Sequence, residues 1–249
     1  GCTGTPITAT VTVNPTPVIT PSNSSLTTCS GDNVDLTFTS SVTGTVITWI
    51  GSNGTSGTGA IQTTLTNTGA TNQTVTYIVS GSTGSGCGSA SISIPVTVRP
   101  RPVISYAINN TIYCSASQVV INLSSNIGGT TYTWSGSNGS SGTGNIITDN
   151  PTNTGVIDST VTYTINSSFN GCSGTPVTVS VTVKPTPVLT AVPTTQTICS
   201  GAPITIALSS NVTGTTVIWS GNNGNSGNTF TINDSPINNG TSNLTVTYT

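Results

Sequence analysis

The segment VTVKPTPVLT, Val181–Thr190, decides how the chain folds. An alternating β-branched run stops at Pro-x-Pro, and a second alternating run begins at once. The same device stands at Val11–Thr20 (VTVNPTPVIT) and Val96–Ser105 (VTVRPRPVIS), so Val11, Val96 and Val181 are spaced by 85 residues. Proline has no N–H to give a strand ladder and fixes its own φ, so each Pro-x-Pro closes one strand and starts the next through an extended, polyproline-like link. The linker prolines are Pro15 and Pro17, Pro100 and Pro102, and Pro185 and Pro187.

Three further sets of markers share the spacing of 85: Cys2, Cys87 and Cys172; Cys29, Cys114 and Cys199; and Trp49, Trp134 and Trp219. A repeat of that length is too long for a solenoid coil and suits a small β-sandwich. Within the first unit PVIT, LTTC, VDLTFTSS, TVITWI, AIQTTLTN, QTVTYIVS and SASISIPVTV read as about seven strands, with GSNGTSGTG as a Gly-rich loop. The expected fold class is all-β: immunoglobulin-like sandwiches in a head-to-tail array. Residues 16–100 and 101–185 are the first two repeats, and 186–249 a third that lacks its last strand.

Gly1–Val13, GCTGTPITATVTV, matches Gly171–Val183, GCSGTPVTVSVTV, and residues 1–15 read as the last strand of a preceding or neighbouring repeat. Thr249 corresponds to Thr164, and restoring a six-residue loop like Ile165–Asn170 would bring the 249 residues to three periods of 85. Two arrangements remain open: a longer periodic chain, or protomers in which residues 1–13 complete the third sandwich of a neighbour. The opening residues lack the basic start and apolar middle of a signal peptide, so the chain reads as mature or as part of something longer.

Composition removes whole classes of function. Charged residues are 3% of the chain, and His, Met and Glu are absent. Asp32, Asp35, Asp149, Asp158 and Asp234 stand against Arg99, Arg101 and Lys184, a net charge of -2. Three cations cannot track a phosphate backbone, which excludes a nucleic-acid surface. No apolar run approaches the roughly 20 residues of a membrane span, so no membrane insertion is expected. Without His or Glu the chain cannot build a Ser-His-Asp triad, a Cys-His pair, a paired-Glu site or a His-based zinc site, so no enzyme, cofactor or metal is expected. Asp32 and Asp35 in SGDNVDL are the only close carboxylates; too few for Ca²⁺, Asp32 reads as a turn residue bonding its own backbone. Trp49, Trp134 and Trp219 each share a strand face with the Val or Ile two positions earlier, and read as core rather than as sugar platforms.

The six cysteines, Cys2, Cys29, Cys87, Cys114, Cys172 and Cys199, are even in number, fixed in spacing and free of CxxC, as in a disulfide framework. Two schemes remain open. Intradomain pairing would give Cys29–Cys87 and Cys114–Cys172. Cys29, however, lies before the second strand and Cys87 before the last, turns at opposite ends of a sandwich and too far apart for a bridge. The favoured pairing is therefore Cys29–Cys172, across a repeat junction.

With these motifs in view (ICSG at Ile198–Gly201, NVTGTTVIWSG at Asn211–Gly221, TVTYTI at Thr160–Ile165 and NGCSGTPVTVSVTVKPTP at Asn170–Pro187) the chain resembles the PKD-like and immunoglobulin-like repeats of long bacterial surface adhesins, especially those of Bacteroidota exported by type IX secretion. The resemblance implies an extracellular, cell-surface or secreted filament with a spacer or adhesive role and no catalysis. It departs from the PKD signature after the strand Trp, where IGSNG, SGSNG and SGNNG lack the acidic residue. The expected function is a structural fibre or stalk whose partners are copies of itself. The alternative is an adhesin or carbohydrate-binding module whose loops contact surface glycans or other cells.

Overall fold

The computed structural model describes residues 1–249 and contains strands but no helix. The first repeat holds β1 (Ile19–Pro21), β2 (Leu26–Cys29), β3 (Asn33–Leu36), β4 (Phe38–Ser40), β5 (Val46–Gly51), β6 (Ser56–Thr58), β7 (Ile61–Thr64), β8 (Gln73–Ser82) and β9 (Ile92–Arg99). One layer pairs β1 with β4 and β3 with β7, and the other runs in the order β2-β9-β8-β5-β6. The chain changes layers at PSNSS: Ser22 N–H donates to the Thr37 carbonyl at 2.8 Å, and Ser22 Oγ accepts from Thr37 N–H at 3.2 Å. After the crossing β2 runs parallel to β9, with Leu26 opposite Val96 and Cys29 opposite Arg99.

Alternation along each strand sends one face inward. Val34, Leu36 and Ile61 from one layer meet Tyr77, Val79, Ile94, Val96 and Val98 from the other, and all are buried. Each Trp stands edge-on to a tyrosine: Trp49 on the buried Tyr77, Trp134 on the buried Tyr163 and Trp219 on the half-buried Tyr248, with centroids 5.7, 6.1 and 6.0 Å apart. Trp134 and Trp219 are buried, and Trp49 is half-buried against the first core. The expected Gly-rich loop is in part a strand: β6 folds back on β5, with Trp49 opposite Gly57. A Cβ on Gly57 would lie 2.5 Å from Trp49 Cζ2, so only glycine lets the ring lie on that strand.

The second repeat reproduces the pattern with β10 (Ile104–Ile108), β11 (Ile112–Cys114), β12 (Val119–Ser125), β13 (Thr131–Gly136), β14 (Ser141–Thr143), β15 (Ile146–Asp149), β16 (Ser159–Phe169), β17 (Cys172–Ser173) and β18 (Val177–Lys184). Its layers run β10-β12-β15 and β11-β18-β16-β13-β14, with β17 on β16. The third has β19 (Leu189–Val192), β20 (Ile204–Ser210), β21 (Trp219–Ser220), β22 (Ser226–Gly227) and β23 (Thr231–Asp234). Its first layer, β19-β20-β23, is complete, but its second is only β21-β22.

Two segments whose counterparts in the second repeat are strands are not strands here. Gly1–Val13 forms no strand, and Asn243–Thr249 holds only a bridge between Gly221 and Tyr248. The reason is shared: a strand needs a neighbour for its N–H and C=O groups, and each of these segments lacks the one its counterpart has in β16 and β18. The chain divides into two compact units that do not follow the repeat period. One comprises Gly1–Ser105, Ser124–Tyr132 and Asn166–Val177; the other Tyr106–Leu123, Thr133–Ile165 and Thr178–Thr249.

Candidate functional site: a stapled joint and an open edge

The first unit contains the joint between repeats. Cys29 ends β2 beside Arg99, while Cys172 is presented by a tight turn in which Asn170 and Gly171 have φ of 48° and 83°. The two are joined by a disulfide with a Cα–Cα distance of 5.6 Å and a sequence separation of 143 residues. Cys172 is fully buried. Neither Cys29–Cys87 nor Cys114–Cys172 forms, and Cys2, Cys87, Cys114 and Cys199 are free thiols. Closing so long a loop removes unfolded-state entropy equivalent to roughly 5 kcal/mol, of which a disulfide typically delivers about 2–4 as net stability.

Around the staple three of the eight charged side chains of the chain, Arg99, Arg101 and Asp32, converge. Arg101 donates from Nε to the Ser30 carbonyl (2.7 Å), from Nη1 to the Ser173 carbonyl (2.7 Å) and from Nη2 to Asp32 Oδ1 (2.5 Å). Arg99 Nη1 donates to the Asn170 carbonyl at 2.7 Å. The expected role of Asp32 is thereby corrected: its carboxylate accepts from Arg101 Nη2 and not from its own backbone, because the guanidinium reaches it across the joint. Asp35 points outward from β3, and no group of three metal-ligating side chains forms. Pro100 and Pro102 are buried, as are Pro17 and Pro185, whereas Pro15 and Pro187 are exposed. Arg99, Arg101 and Lys184 each directly precede one of the buried prolines.

The second unit contains a carboxylate anchor present twice. Asp149 Oδ2 accepts from Tyr163 Oη (2.8 Å), Asn138 Nδ2 (2.8 Å) and Ser140 Oγ (2.9 Å). Burial raises the Asp149 pKa, but the bonds from Asn138, Tyr163, Ser140 and the Asn150 N–H outweigh it, and the net shift is downward. Asp234 is bonded by Tyr248, Asn223 and Asn225, and the Tyr248 bond is the main cause of its lowered pKa. Burial first, then the bond to Asp234, pushes Tyr248 up to about 12. In the first repeat Thr63 holds the corresponding place opposite Val34, and Tyr77 Oη is buried without a partner.

The third repeat is open on one side. A cleft of about 930 Å³ runs along it, lined by Ile198, Ile206, Leu208, Val217, Leu244 and Val246 among others. Two unfilled positions mark what closes it elsewhere. Asn67 Nδ2 donates to the carbonyls of Thr71 and Val98, and Asn153 Nδ2 to those of Ile157 and Val183, but Asn238 Nδ2 reaches only Ser242. Likewise Ser30 and Ser115 N–H donate to the carbonyls of Arg99 and Lys184, and Ser200 N–H has no such carbonyl. Both missing acceptors belong to the last strand, β9 or β18. Meanwhile Ile7, Val11 and Val13 are 95%, 86% and 87% exposed, although Val181 and Val183, the counterparts of Val11 and Val13, are 1% and 0% exposed in β18. Sequence reading missed these asparagines and the Asp–Tyr pairs; the recurring Asn-x-Gly at Asn67, Asn153 and Asn238 was the signal of the asparagines.

The PKD-like domain family model matches residues 26–102 and 111–187. The chain is a member of the PKD-like domain family. As tandem PKD-like domains, the repeats are all-β sandwiches set in series, and the disulfide suits an oxidising, extracellular setting. No curated protein sequence matches the chain. Among solved structures it is similar to the fibronectin(III)-like modules of Clostridium thermocellum CbhA, at 9% identity and a TM-score of 0.33, covering 68% of this chain and 95% of that one. It is also similar to Drosophila N-cadherin EC1-4, at 14% identity and a TM-score of 0.33, covering 68% of this chain and 48% of that one. No helix of this PKD-like protein is long and apolar enough to cross a membrane.

Proposed function

We propose that this PKD-like chain is a non-catalytic structural element of an extracellular or cell-surface filament, and that its copies associate head to tail. In that arrangement a Gly1–Val13 segment, from another copy or from the next stretch of a longer periodic chain, adds the last strand to the third sandwich. The observation that carries this reading is the match between a free strand and a free edge. Nine of the thirteen residues of Gly1–Val13 are identical to Gly171–Val183, which spans most of the strand closing the second sandwich. In the same register Val11 and Val13 would cover the cleft, the Val13 carbonyl would accept from Asn238 and the Asn14 carbonyl from Ser200 N–H. Strand addition of this kind combines backbone pairing with alternate side chains in a groove. The chemistry available to the chain agrees: three of its five carboxylates are bonded to tyrosines or an arginine, and its Trp rings lie against the sandwich cores. A glycan-binding alternative therefore lacks a repeated aromatic platform.

Gly4 supplies a clean test. Its counterpart Gly174 has no room for a side chain, since a Cβ there would lie 2.2 Å from the Pro102 carbonyl oxygen and 2.4 Å from Ser167 Oγ. Gly4 itself has nothing within 4 Å. Gly4→Val should leave the thermal melt of the separate chain unchanged and abolish filaments in electron micrographs and in sedimentation. Filaments of undiminished length from Gly4→Val, or monomers from the unaltered protein, would refute strand addition.

A further inference from the structure

We infer that the four free thiols are the halves of two disulfides between copies: Cys114 with Cys2 of the next copy, and Cys199 with Cys87 of the next copy. The inference rests on the head-to-tail reading above and names what makes that contact permanent.

The Cys29–Cys172 bond is the pattern. It couples two kinds of position, each occurring three times at intervals of 85 residues. Cysteines of the first kind end the short strand beside the last strand: Cys29 opposite Arg99, and Cys114 opposite Lys184 in the same parallel register. Cys199 holds this place in the third repeat. Cysteines of the second kind directly follow a glycine of positive φ in the turn before the last strand: Cys172 after Gly171 and Cys87 after Gly86, both glycines at φ 83°. Cys2 follows Gly1 in the matching segment. Each first-kind cysteine has its partner 143 residues further along, one repeat on. From Cys29 that step stays inside the chain. From Cys114 and Cys199 it arrives, in a head-to-tail array with a period of three repeats, at Cys2 and Cys87 of the next copy.

The two bonds do different work. Cys114–Cys2 ties the donated strand to the second sandwich of its acceptor, so the added strand cannot slide out. Cys199–Cys87 repeats the stapled joint between the third sandwich of one copy and the first of the next. The thiols are accessible before assembly: Cys2, Cys114 and Cys199 are exposed and Cys87 is half-buried. Each bond forms by exchange with a disulfide such as oxidised glutathione. One cysteine thiolate attacks a glutathione sulfur and releases one glutathione thiol; the second thiolate then attacks that mixed disulfide and releases the other. Two protein thiols are oxidised and one glutathione disulfide is reduced to two thiols, with the two protons passing to the products.

The test is assembly of the full chain with oxidised glutathione, followed by sedimentation, non-reducing gels and peptide mapping. A ladder in steps of one chain mass that collapses with dithiothreitol, and peptides linking Cys2 to Cys114 and Cys87 to Cys199, are expected. Cys2→Ser should keep the ladder through Cys87–Cys199, and the double variant Cys2→Ser with Cys87→Ser should assemble but dissolve to single chains in detergent. Filaments whose four cysteines stay open to alkylation, or whose linked peptides join like to like, overturn the lock and leave head-to-tail assembly standing. Monomers by sedimentation overturn both.

Discussion

At the residue scale, glycines carry as much of the design as the aromatic residues they serve. Trp49, Trp134 and Trp219 rest on Gly57, Gly142 and Gly227, where an added Cβ would lie 2.5, 2.7 and 2.5 Å from the indole. Gly142→Ala should therefore cost about 1–3 kcal/mol, as overpacking a core does. Denaturant unfolding followed by Trp fluorescence checks it, and a change below about 0.5 kcal/mol would show that the ring simply moves. The Asp–Tyr anchors make a pH prediction. Asp149 and Asp234 have pKa values below the usual aspartate range when folded, so the folded chain binds fewer protons than the unfolded one in acid. Their stabilisation is complete above the unfolded value of about 3.9 and disappears as pH falls through the lower folded values. Asp149→Asn should lower stability at pH 7 by about 1 kcal/mol and flatten the loss between roughly pH 4 and pH 2. Thr63→Asp, which offers the unpartnered Tyr77 hydroxyl the same acceptor, should raise stability at pH 7 by a similar amount. Melting curves across pH read both; equal melts for Thr63→Asp and the unaltered chain would mean that Asn53 and Thr55, which stand 85 residues before Asn138 and Ser140, cannot complete the anchor.

Elements show where reading the sequence succeeded and where it stopped. Alternation and Pro-x-Pro are local signals, so the sandwich strands and the inward Trp were legible in the sequence. The Cys29–Cys172 bridge was legible because strand order alone places Cys29 and Cys87 at opposite ends of one sandwich. The role of Asp32 was not, since it depends on an arginine 69 residues away folding back across a joint. Nor was β6: GSNGTSGTG carries turn residues throughout, and its pairing with β5 follows from the Trp that needs Gly57 beneath it. Gly1–Val13, read as the last strand of a preceding or neighbouring repeat, is unpaired within the single chain, and Asn243–Thr249 nearly so, because alternation says that a segment can be a strand and not that a neighbour is present. Removing the staple isolates its share of stability. Cys29→Ser with Cys172→Ser should lower unfolding free energy by roughly 2–4 kcal/mol while keeping the β-rich circular dichroism of the fold. A loss of under 0.5 kcal/mol would mean that the Arg101 fork holds the joint without it.

On the scale of the whole molecule, a surface of Thr, Ser, Asn and Gly with 3% charge leaves order to be kept by repeated packing and crosslinks. The joint prolines have one more consequence, which concerns digestion. Each of the three basic residues is followed by one of the buried prolines, Pro100, Pro102 or Pro185. A bond to proline nitrogen presents no N–H and a fixed φ, which a protease selecting Lys or Arg cannot accommodate in its extended substrate cleft. The chain thus has no usable tryptic bond even when unfolded. Reduced, alkylated and held in urea, it should stay full length under trypsin, whereas a fragment ending at Arg99, Arg101 or Lys184 would contradict this. A filament standing outside a cell would keep this resistance at the moment when folding can no longer protect it, because it is written in the covalent chain at each joint.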